Sequence, residues 1–366
     1  MNDFSVNSAW YTDTGIDNDV VLSTRVRLAR NLSDFPFPEF MKNDSNERLL
    51  SVVFDAFSKL DDSRNYQALS LGNVEEIGRY ILVERGVMPA GMIDKPGSGI
   101  IVSADGHISC TVNYHNHLHI SSFIAGYSPL EAYNLVNSLD SSLQDYLQFA
   151  GNSEFGYFTS RLKDTGTGMK ISAMLHLPSV VEAGLQDELF KTLVKSGFDV
   201  YAVYASYGNA PDRTGNVLGA WFRIATSTSF PLSETDQIAQ ISQAIHHIMT
   251  IERHSRNDLL EKKPTKLKDR VYRALANIKY SRYISMREGL ELVSSLKWGL
   301  NLGMLSGVTD SELYALMFRI HPAHLDFVAR SGSLSFEPDV TGQEQKIDRL
   351  RSLILQETVA SVQFAG

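Results

Sequence analysis

Two short runs rich in β-forming residues, Gly99 to Val102 and Ile108 to Val112, stand on either side of Asp105-Gly106. An Asp-Gly pair accepts the positive φ angles of a tight turn, so the segment predicts a β-hairpin and antiparallel pairing. In the second run Ile108, Cys110 and Val112 fall on one face, and Ser109, Thr111 and Asn113 on the other. Phe198 to Ala205 and Val217 to Thr226, rich in Val, Tyr, Phe and Ile, are further strand candidates. Helical stretches lie between these runs. The pattern predicts an α+β fold: a largely antiparallel sheet flanked by helices.

The last third reads differently. Ser233 and Asp236 form a capping pair, followed by Ile238, Ile241, Ile245 and Ile248 at helical spacing. Beyond Glu261-Lys262-Lys263-Pro264 the signals are almost wholly helical; Ser285 with Glu288 is another capping pair, leading into Leu290, Val293 and Leu296. The expected organisation is an α+β domain over residues 1–260 and a helical C-terminal domain over 261–366. No internal repeat interrupts it.

Composition narrows the function. The formal charge of −8 opposes general nucleic-acid binding, which needs a basic surface to displace counterions. It leaves room for a local basic pocket. A single cysteine, Cys110, excludes an internal disulfide and an all-cysteine zinc site. The N-terminal MNDFSVNSAW offers neither the basic leader nor the apolar core of a signal peptide, and no apolar run approaches the roughly 20 residues needed to cross a bilayer. The expectation is a soluble, cytoplasmic protein with neither membrane nor nucleic-acid contacts.

Three segments carry candidate chemistry. In Val20-Val21-Leu22-Ser23-Thr24-Arg25-Val26-Arg27-Leu28-Ala29-Arg30, a strand would place Arg25 and Arg27 on one face and Val26 and Leu28 on the other. Two adjacent guanidinium forks can grip successive phosphates, although a salt-bridged surface strand is the plainer reading of the pattern alone. In Asn113-Tyr114-His115-Asn116-His117-Leu118-His119, an extended chain would line up His115, His117 and His119, a spacing that can hold a metal ion. Partly exposed, hydrogen-bonded histidines are the plainer alternative. Thr165-Gly166-Thr167-Gly168 reads as a loop before a helix through Met169, Met174 and Leu177, whose first N–H groups, with Lys170, could bind an anion. A simple tight turn is the alternative there.

Taken in order, these segments resemble the phosphagen kinases (ATP:guanido phosphotransferases), most closely the bacterial protein arginine kinases of the McsB type. Val21-Leu22-Ser23-Thr24-Arg25-Val26-Arg27-Leu28-Ala29-Arg30-Asn31 looks like the family's first phosphate-binding segment. Gly166-Thr167-Gly168 and Ser172-Ala173-Met174-Leu175-His176-Leu177-Pro178 resemble its glycine loop and following helix. Lys268-Asp269-Arg270-Val271-Tyr272-Arg273 and Gly299-Leu300-Asn301-Leu302-Gly303 look like the helical part of the bacterial branch. The resemblance implies ATP with magnesium as ligand and Ser23, Thr24, Arg25, Arg27, Lys170 and Ser172 as nucleotide-binding residues. It also implies a homodimer and, by analogy, a stress-response protease or unfoldase as partner.

The departures bear on activity. Where the family reads Asn-Glu-Glu-Asp-His followed two residues later by arginine, this chain has Asn113-Tyr114-His115-Asn116-His117 and then His119. Arg161 stands at the reactive cysteine, Asp164 at the asparagine before the glycine loop, Lys170 at a following arginine and Tyr201 at another. Ser206 takes the place of a second substrate-gripping glutamate, in a loop running through Asp212 and Arg213. The stretch from Glu337 to Gln345 is acidic and polar where the resemblance implies an arginine-rich phosphoarginine site. Carboxylates must orient and deprotonate a guanidinium before it attacks phosphorus, and Tyr114, His115 and Ser206 supply none. Asp164, Glu84 and Asp212 are the candidates for compensation. Three readings follow: a catalytically impaired homologue with a regulatory or scaffolding role, for which no catalytic residue or metal is assigned; an active arginine kinase with a rebuilt site; and a metal-binding protein using His115, His117 and His119.

Overall fold

The computed structural model describes residues 9–204, 217–229, 231–332 and 334–365. Its centre is an eight-stranded sheet, with strands β1 (Val21–Arg30), β2 (Tyr66–Ser70), β3 (Gly99–Ser103), β4 (Ile108–Val112), β5 (Leu118–Ala125), β8 (Met169–His176), β9 (Phe198–Ala202) and β10 (Trp221–Thr226). Strands β6 (Gly151–Asn152) and β7 (Gly156–Tyr157) form a separate two-residue ladder, as do β11 (Leu305–Ser306) and β12 (Gln363–Phe364). The large sheet runs β2-β3-β4-β5-β1-β8-β10-β9, and every neighbouring pair is antiparallel. The expected α+β fold is therefore present. The Asp105-Gly106 hairpin is also present: Gly106 has φ 74°, and Asp105 Oδ1 accepts from the His107 N–H at 3.0 Å.

One face of the sheet packs against helices α1 (Asn43–Ser58), α3 (Pro129–Leu143) and α6 (Glu234–Lys262). Val26, Leu28, Cys110, Ile120, Ile171 and Ala173 belong to that core, all nearly inaccessible. Helices α4 (Pro178–Glu182) and α5 (Gln186–Lys195) complete this layer, whereas α2 (Glu76–Glu84) packs against the C-terminal helices on the other side of the sheet. Arg30 fastens the end of β1. Its guanidinium pairs with Asp140 at 3.0 Å, donates to the Thr167 carbonyl at 3.0 Å and lies 3.6 Å from the Tyr157 ring centroid.

The opposite face meets the C-terminal helices α7 (Pro264–Tyr280), α8 (Met286–Asn301), α9 (Asp310–Arg319), α10 (Pro322–Ser331) and α11 (Gln343–Thr358). A second core joins Trp10, Phe123, Met174 and Trp221 to Leu290, Leu313, Tyr314 and Leu316. Both expected caps are formed: Ser233 Oγ accepts from Asp236 N at 3.1 Å, and Ser285 Oγ from Glu288 N at 3.2 Å. Helix α6 ends at Lys262 and α7 begins at Pro264, where a proline loses nothing because an N1 amide has no helical acceptor.

Two local expectations are corrected. Met169 to His176 is a strand, not a helix, so the glycine loop leads into β8 and presents no helix N-terminus to an anion. The two-residue alternation of Met169, Ile171, Ala173 and Leu175 against Lys170, Ser172 and Met174 carries that strand. Its Met, Ala and Leu content mimics a helix because both faces of a central strand are buried. The His115–His119 segment is likewise not extended throughout. Asn113 has φ 62°, its N–H donates to the His117 carbonyl at 2.9 Å, and β5 begins only at Leu118.

Candidate functional site

Strand β1 projects Ser23, Arg25 and Arg27 onto the face that meets the C-terminal helices. The register sets Arg25 opposite Ser172 on one side and Phe123 on the other, and Arg27 opposite Lys170 and Ser121. One strand further, Arg223 of β10 stands beside Met174 and Tyr201. This face floors a cavity of about 1120 Å³ lined by Arg25, Arg27, Arg223, Ser23, Ser172 and His119. Its aromatic wall includes Trp10, Phe123, Tyr314 and Phe318; Trp10 stacks on Phe123 with centroids 5.5 Å apart. The roof comes from Met286, Leu290, Met317 and His321, so the helical third of the chain closes a site floored by the sheet.

The electrostatics are unusual for an acidic chain. Five arginines line the cavity (Arg25, Arg27, Arg85, Arg223 and Arg287), against a single carboxylate among the described residues, Glu84. That carboxylate accepts from the Ala323 and His324 amides at 2.7 and 2.9 Å and so caps α10. Burial pushes its pKa up, partly offset by these two N–H donors. Arg25 donates to Ser121 Oγ at 3.0 Å and lies 4.9 Å from the Phe123 ring centroid. Among the described residues neither Arg25 nor Arg27 forms an ion pair, and the Nε atom of each is buried without a hydrogen-bond partner. Burial, then the neighbouring Arg27 and Arg223, hold Arg25's pKa down to about 9. Burial also lowers that of Arg27, against the opposing charge of Asp164. Buried cations without counter-ions are costly, and they persist where a ligand supplies the anion.

The six residues expected to bind nucleotide are only partly assembled. Ser23, Arg25, Arg27 and Ser172 line the cavity. Ser23 Oγ accepts from the Tyr314 hydroxyl at 3.2 Å, tying the floor to α9. Lys170 shares the face but pairs with Asp199 at 3.0 Å. Thr24 is corrected: it is buried on the opposite face, donating to the Gly126 carbonyl at 2.7 Å and accepting from Ser128 N at 3.1 Å. Arg223 was not singled out from the sequence. Its signal was a lone charge inside Trp221–Thr226, in phase with Trp221 and Ala225.

The histidines do not gather into a metal site. His117 Nδ1 accepts from Leu32 N at 2.9 Å, so its Nε2 donates to the Pro36 carbonyl at 2.9 Å, and burial holds its pKa at about 4. Both ring nitrogens are occupied. Asn116 Oδ1 accepts from Ser160 N at 2.8 Å and from Asn31 Nδ2 at 2.9 Å. Its amide nitrogen therefore donates to His119 Nε2 at 2.9 Å, leaving the His119 proton on Nδ1. Burial, followed by Arg27 and Arg25, pushes His119's pKa well down. His115 accepts from Arg161 Nη2 at 3.1 Å. Among the described residues no group of three or more His, Cys, Asp or Glu is placed to hold a metal ion.

Of the proposed substitutes for the missing carboxylates, Glu84 is occupied as a helix cap and Asp164 is buried near Arg27. Ser206 and Asp212 lie outside the described residues. In the acidic C-terminal stretch, Glu337 receives Arg349 through contacts of 2.7 to 3.2 Å, which hold the Glu337 pKa down at about 2.

A conserved-family profile described as the ATP:guanido phosphotransferase C-terminal catalytic domain matches residues 48–255, and one described as the protein-arginine kinase McsB C-terminal domain matches residues 264–364. The chain belongs to the ATP:guanido phosphotransferase family. Protein-arginine kinases from Syntrophomonas wolfei and Desulforamulus reducens are each 30% identical to it. The first covers 94% of this chain and 95% of the relative, the second 94% and 96%. The resemblance to the protein-arginine-kinase branch therefore runs through nearly the whole chain. Solved phosphagen kinases share the fold: a lombricine kinase superposes with TM-score 0.55 at 15% identity, over 69% of this chain and 70% of that one. The duplicated taurocyamine kinase of Schistosoma mansoni superposes with TM-score 0.57 at 16% identity, over 84% of this chain and 51% of that one. ATP-dependent phosphoryl transfer to a guanidino group is the reaction after which the family is named. Among the described residues no helix is long and apolar enough to cross a membrane.

Proposed function

We propose that this member of the family binds a nucleotide polyphosphate, ATP with magnesium, on Arg25, Arg27 and Arg223 but no longer phosphorylates arginine, and serves a regulatory or scaffolding role in the cytoplasm. The observation that carries the reading is the cavity's charge: among the described residues five arginines face one carboxylate, and that carboxylate caps a helix. Such a cavity suits phosphates. Bound ATP would supply the transferable phosphoryl group, and the three arginines, with Ser172, are the side chains placed to hold its phosphates. A guanidinium acceptor needs an anion to orient it and take its proton. At the place where the family carries its acidic run, Tyr114 brings no carboxylate, His115 accepts from Arg161, and the Asn116 amide is held on three sides. A homodimer and a partner in stress-response proteolysis remain part of the proposal by family analogy.

The test is a phosphotransfer assay with ATP, magnesium, free arginine and an arginine-rich protein, read by mass spectrometry under conditions that preserve phosphoarginine. No product is expected. Calorimetry should show nucleotide binding that weakens about tenfold or more in the Arg25→Ala, Arg27→Ala double variant. Acid-labile phosphate on arginine overturns the loss of activity, and equal binding by the double variant overturns the seat.

One observation favours a second reading, an active arginine kinase with a rebuilt site. Asp164 is 8% exposed and close enough to oppose the positive field at both Arg27 and His115. A carboxylate there could serve as the missing base. Under that reading wild-type protein yields phosphoarginine and Asp164→Asn does not.

A further inference from the structure

The end of the cavity where the family carries acidic residues is positive in this chain. Tyr114 lines the cavity, and the His115 ring lies against it with centroids 4.0 Å apart. Arg161 Nη2 donates to His115 Nε2 at 3.1 Å, which fixes the imidazole as neutral with its proton on Nδ1. Lys95 Nζ donates to the Tyr114 carbonyl at 2.7 Å from the other side. Arg27 completes the group from the sheet; its guanidinium and that of Arg161 are near enough to oppose each other's charge. Three cations thus surround this rim. The carboxylate in their midst is Asp164, whose N–H donates to the Arg161 carbonyl at 2.9 Å. Counting it, three positive charges against one among the described residues leave an excess of two.

Resting on the reading that Arg25, Arg27 and Arg223 hold a nucleotide's phosphates, we propose that the adjoining rim, where Arg27 meets Arg161 and His115, binds a second, phosphoryl-type dianion and excludes a guanidinium. A dianion balances the excess of two charges, and two guanidinium forks match its tetrahedral oxygens. A guanidinium entering the same rim meets three like charges, and one carboxylate cannot offset them. The substitutions at Tyr114 to Asn116 then do more than remove a base. With Arg161 they change the sign of the ligand that this end accepts.

The experiment uses the full chain saturated with a non-hydrolysable ATP analogue and magnesium, titrated calorimetrically with inorganic phosphate, with acetate and with L-arginine. Phosphate is expected to bind, acetate to bind about tenfold more weakly, and L-arginine to give no binding heat. Arg161→Glu should weaken phosphate about tenfold or more and make L-arginine binding detectable, whereas Arg161→Lys, which keeps the charge and loses the fork, should weaken phosphate by about threefold and still exclude L-arginine. Arg161 is exposed, so neither substitution should disturb folding, and thermal unfolding checks this. Absence of phosphate binding, L-arginine binding to the wild-type chain, or phosphate binding indifferent to Arg161→Glu overturns the proposal. Acetate binding as tight as phosphate overturns the phosphoryl assignment. Repeating the titrations without nucleotide separates two failures: if the analogue does not bind but phosphate still depends on Arg161, the nucleotide seat is wrong and the anion rim stands.

Discussion

Replacing Arg25 by methionine should make the ligand-free protein more stable while it destroys the phosphate seat. Methionine keeps an unbranched apolar stem over Phe123 and removes the charge. The depression of the Arg25 pKa to about 9 corresponds to roughly 4 to 5 kcal/mol of destabilisation of the charged side chain, at about 1.4 kcal/mol per pKa step. Water within the cavity screens part of this, leaving on the order of 3 kcal/mol. Against it stand the hydrogen bond to Ser121, about 1 kcal/mol, and the contact with Phe123, also about 1 kcal/mol. The net expectation for Arg25→Met is a gain of about 1 kcal/mol. The sign with pH follows from the depressed pKa. Above about 9 the unfolded chain holds the proton that the folded one has released, so stability rises with pH there and the advantage of Arg25→Met shrinks. Below about 9 the full penalty operates. Urea unfolding followed by tryptophan fluorescence, at neutral pH and near pH 10, measures both effects, and nucleotide calorimetry on the same samples measures the loss of binding. A variant less stable than wild type by 1 kcal/mol or so, or one that binds nucleotide undiminished, would refute the view that Arg25 is held charged and unpaired for a ligand.

Two further outcomes follow from other buried groups. Asn116→Ala removes three hydrogen bonds at a residue that is 1% exposed and leaves Ser160 N, Asn31 Nδ2 and the His119 ring without it. A loss of about 3 to 4 kcal/mol in urea unfolding is expected, and a loss under about 1 kcal/mol would mean that water replaces the amide. Glu252 accepts from the Ser179 and Val180 amides at 3.0 and 2.9 Å, yet burial raises its pKa to about 7. Because the folded pKa is raised, its contribution to stability is fully present below the unfolded value and lost as pH rises through about 7. Wild-type stability should fall between about pH 5 and 8 by on the order of 2 kcal/mol, and Glu252→Gln should flatten that slope; an identical slope in the variant would place its origin elsewhere.

Much of the site's floor is legible in the sequence. The two-residue period of β1 put Arg25 and Arg27 on one face, and the Asp105-Gly106 turn implied antiparallel pairing. Both signals are local: they follow from the alternation of side chains and from backbone angles that few residues adopt. The misreadings arose where local preference and tertiary setting diverge. Met169–His176 reads as helix by composition but lies between β1 and β10, where a strand buried on both faces takes the same apolar residues. The alignment of His115, His117 and His119 failed because Asn113 accepts a left-handed conformation and turns the chain before β5.

The sequence by itself determined the family, through the order of its segments along the chain, and the strand runs, helix caps and phase of the arginine strand, since each of these depends on neighbours a few residues apart. Only the tertiary structure brought Arg223 to Arg25 across β8, set Arg161 against His115, and laid Leu290, Met317 and His321 over the sheet as a roof. Those juxtapositions depend on strand order and on which apolar face each helix buries, and neither is encoded in any short window of the chain. The cavity's one-sided charge is therefore a property of the fold: Arg25 and Arg27 of β1 converge with Arg85, Arg223 and Arg287 from three other places in the chain, inside a protein whose formal net charge is −8.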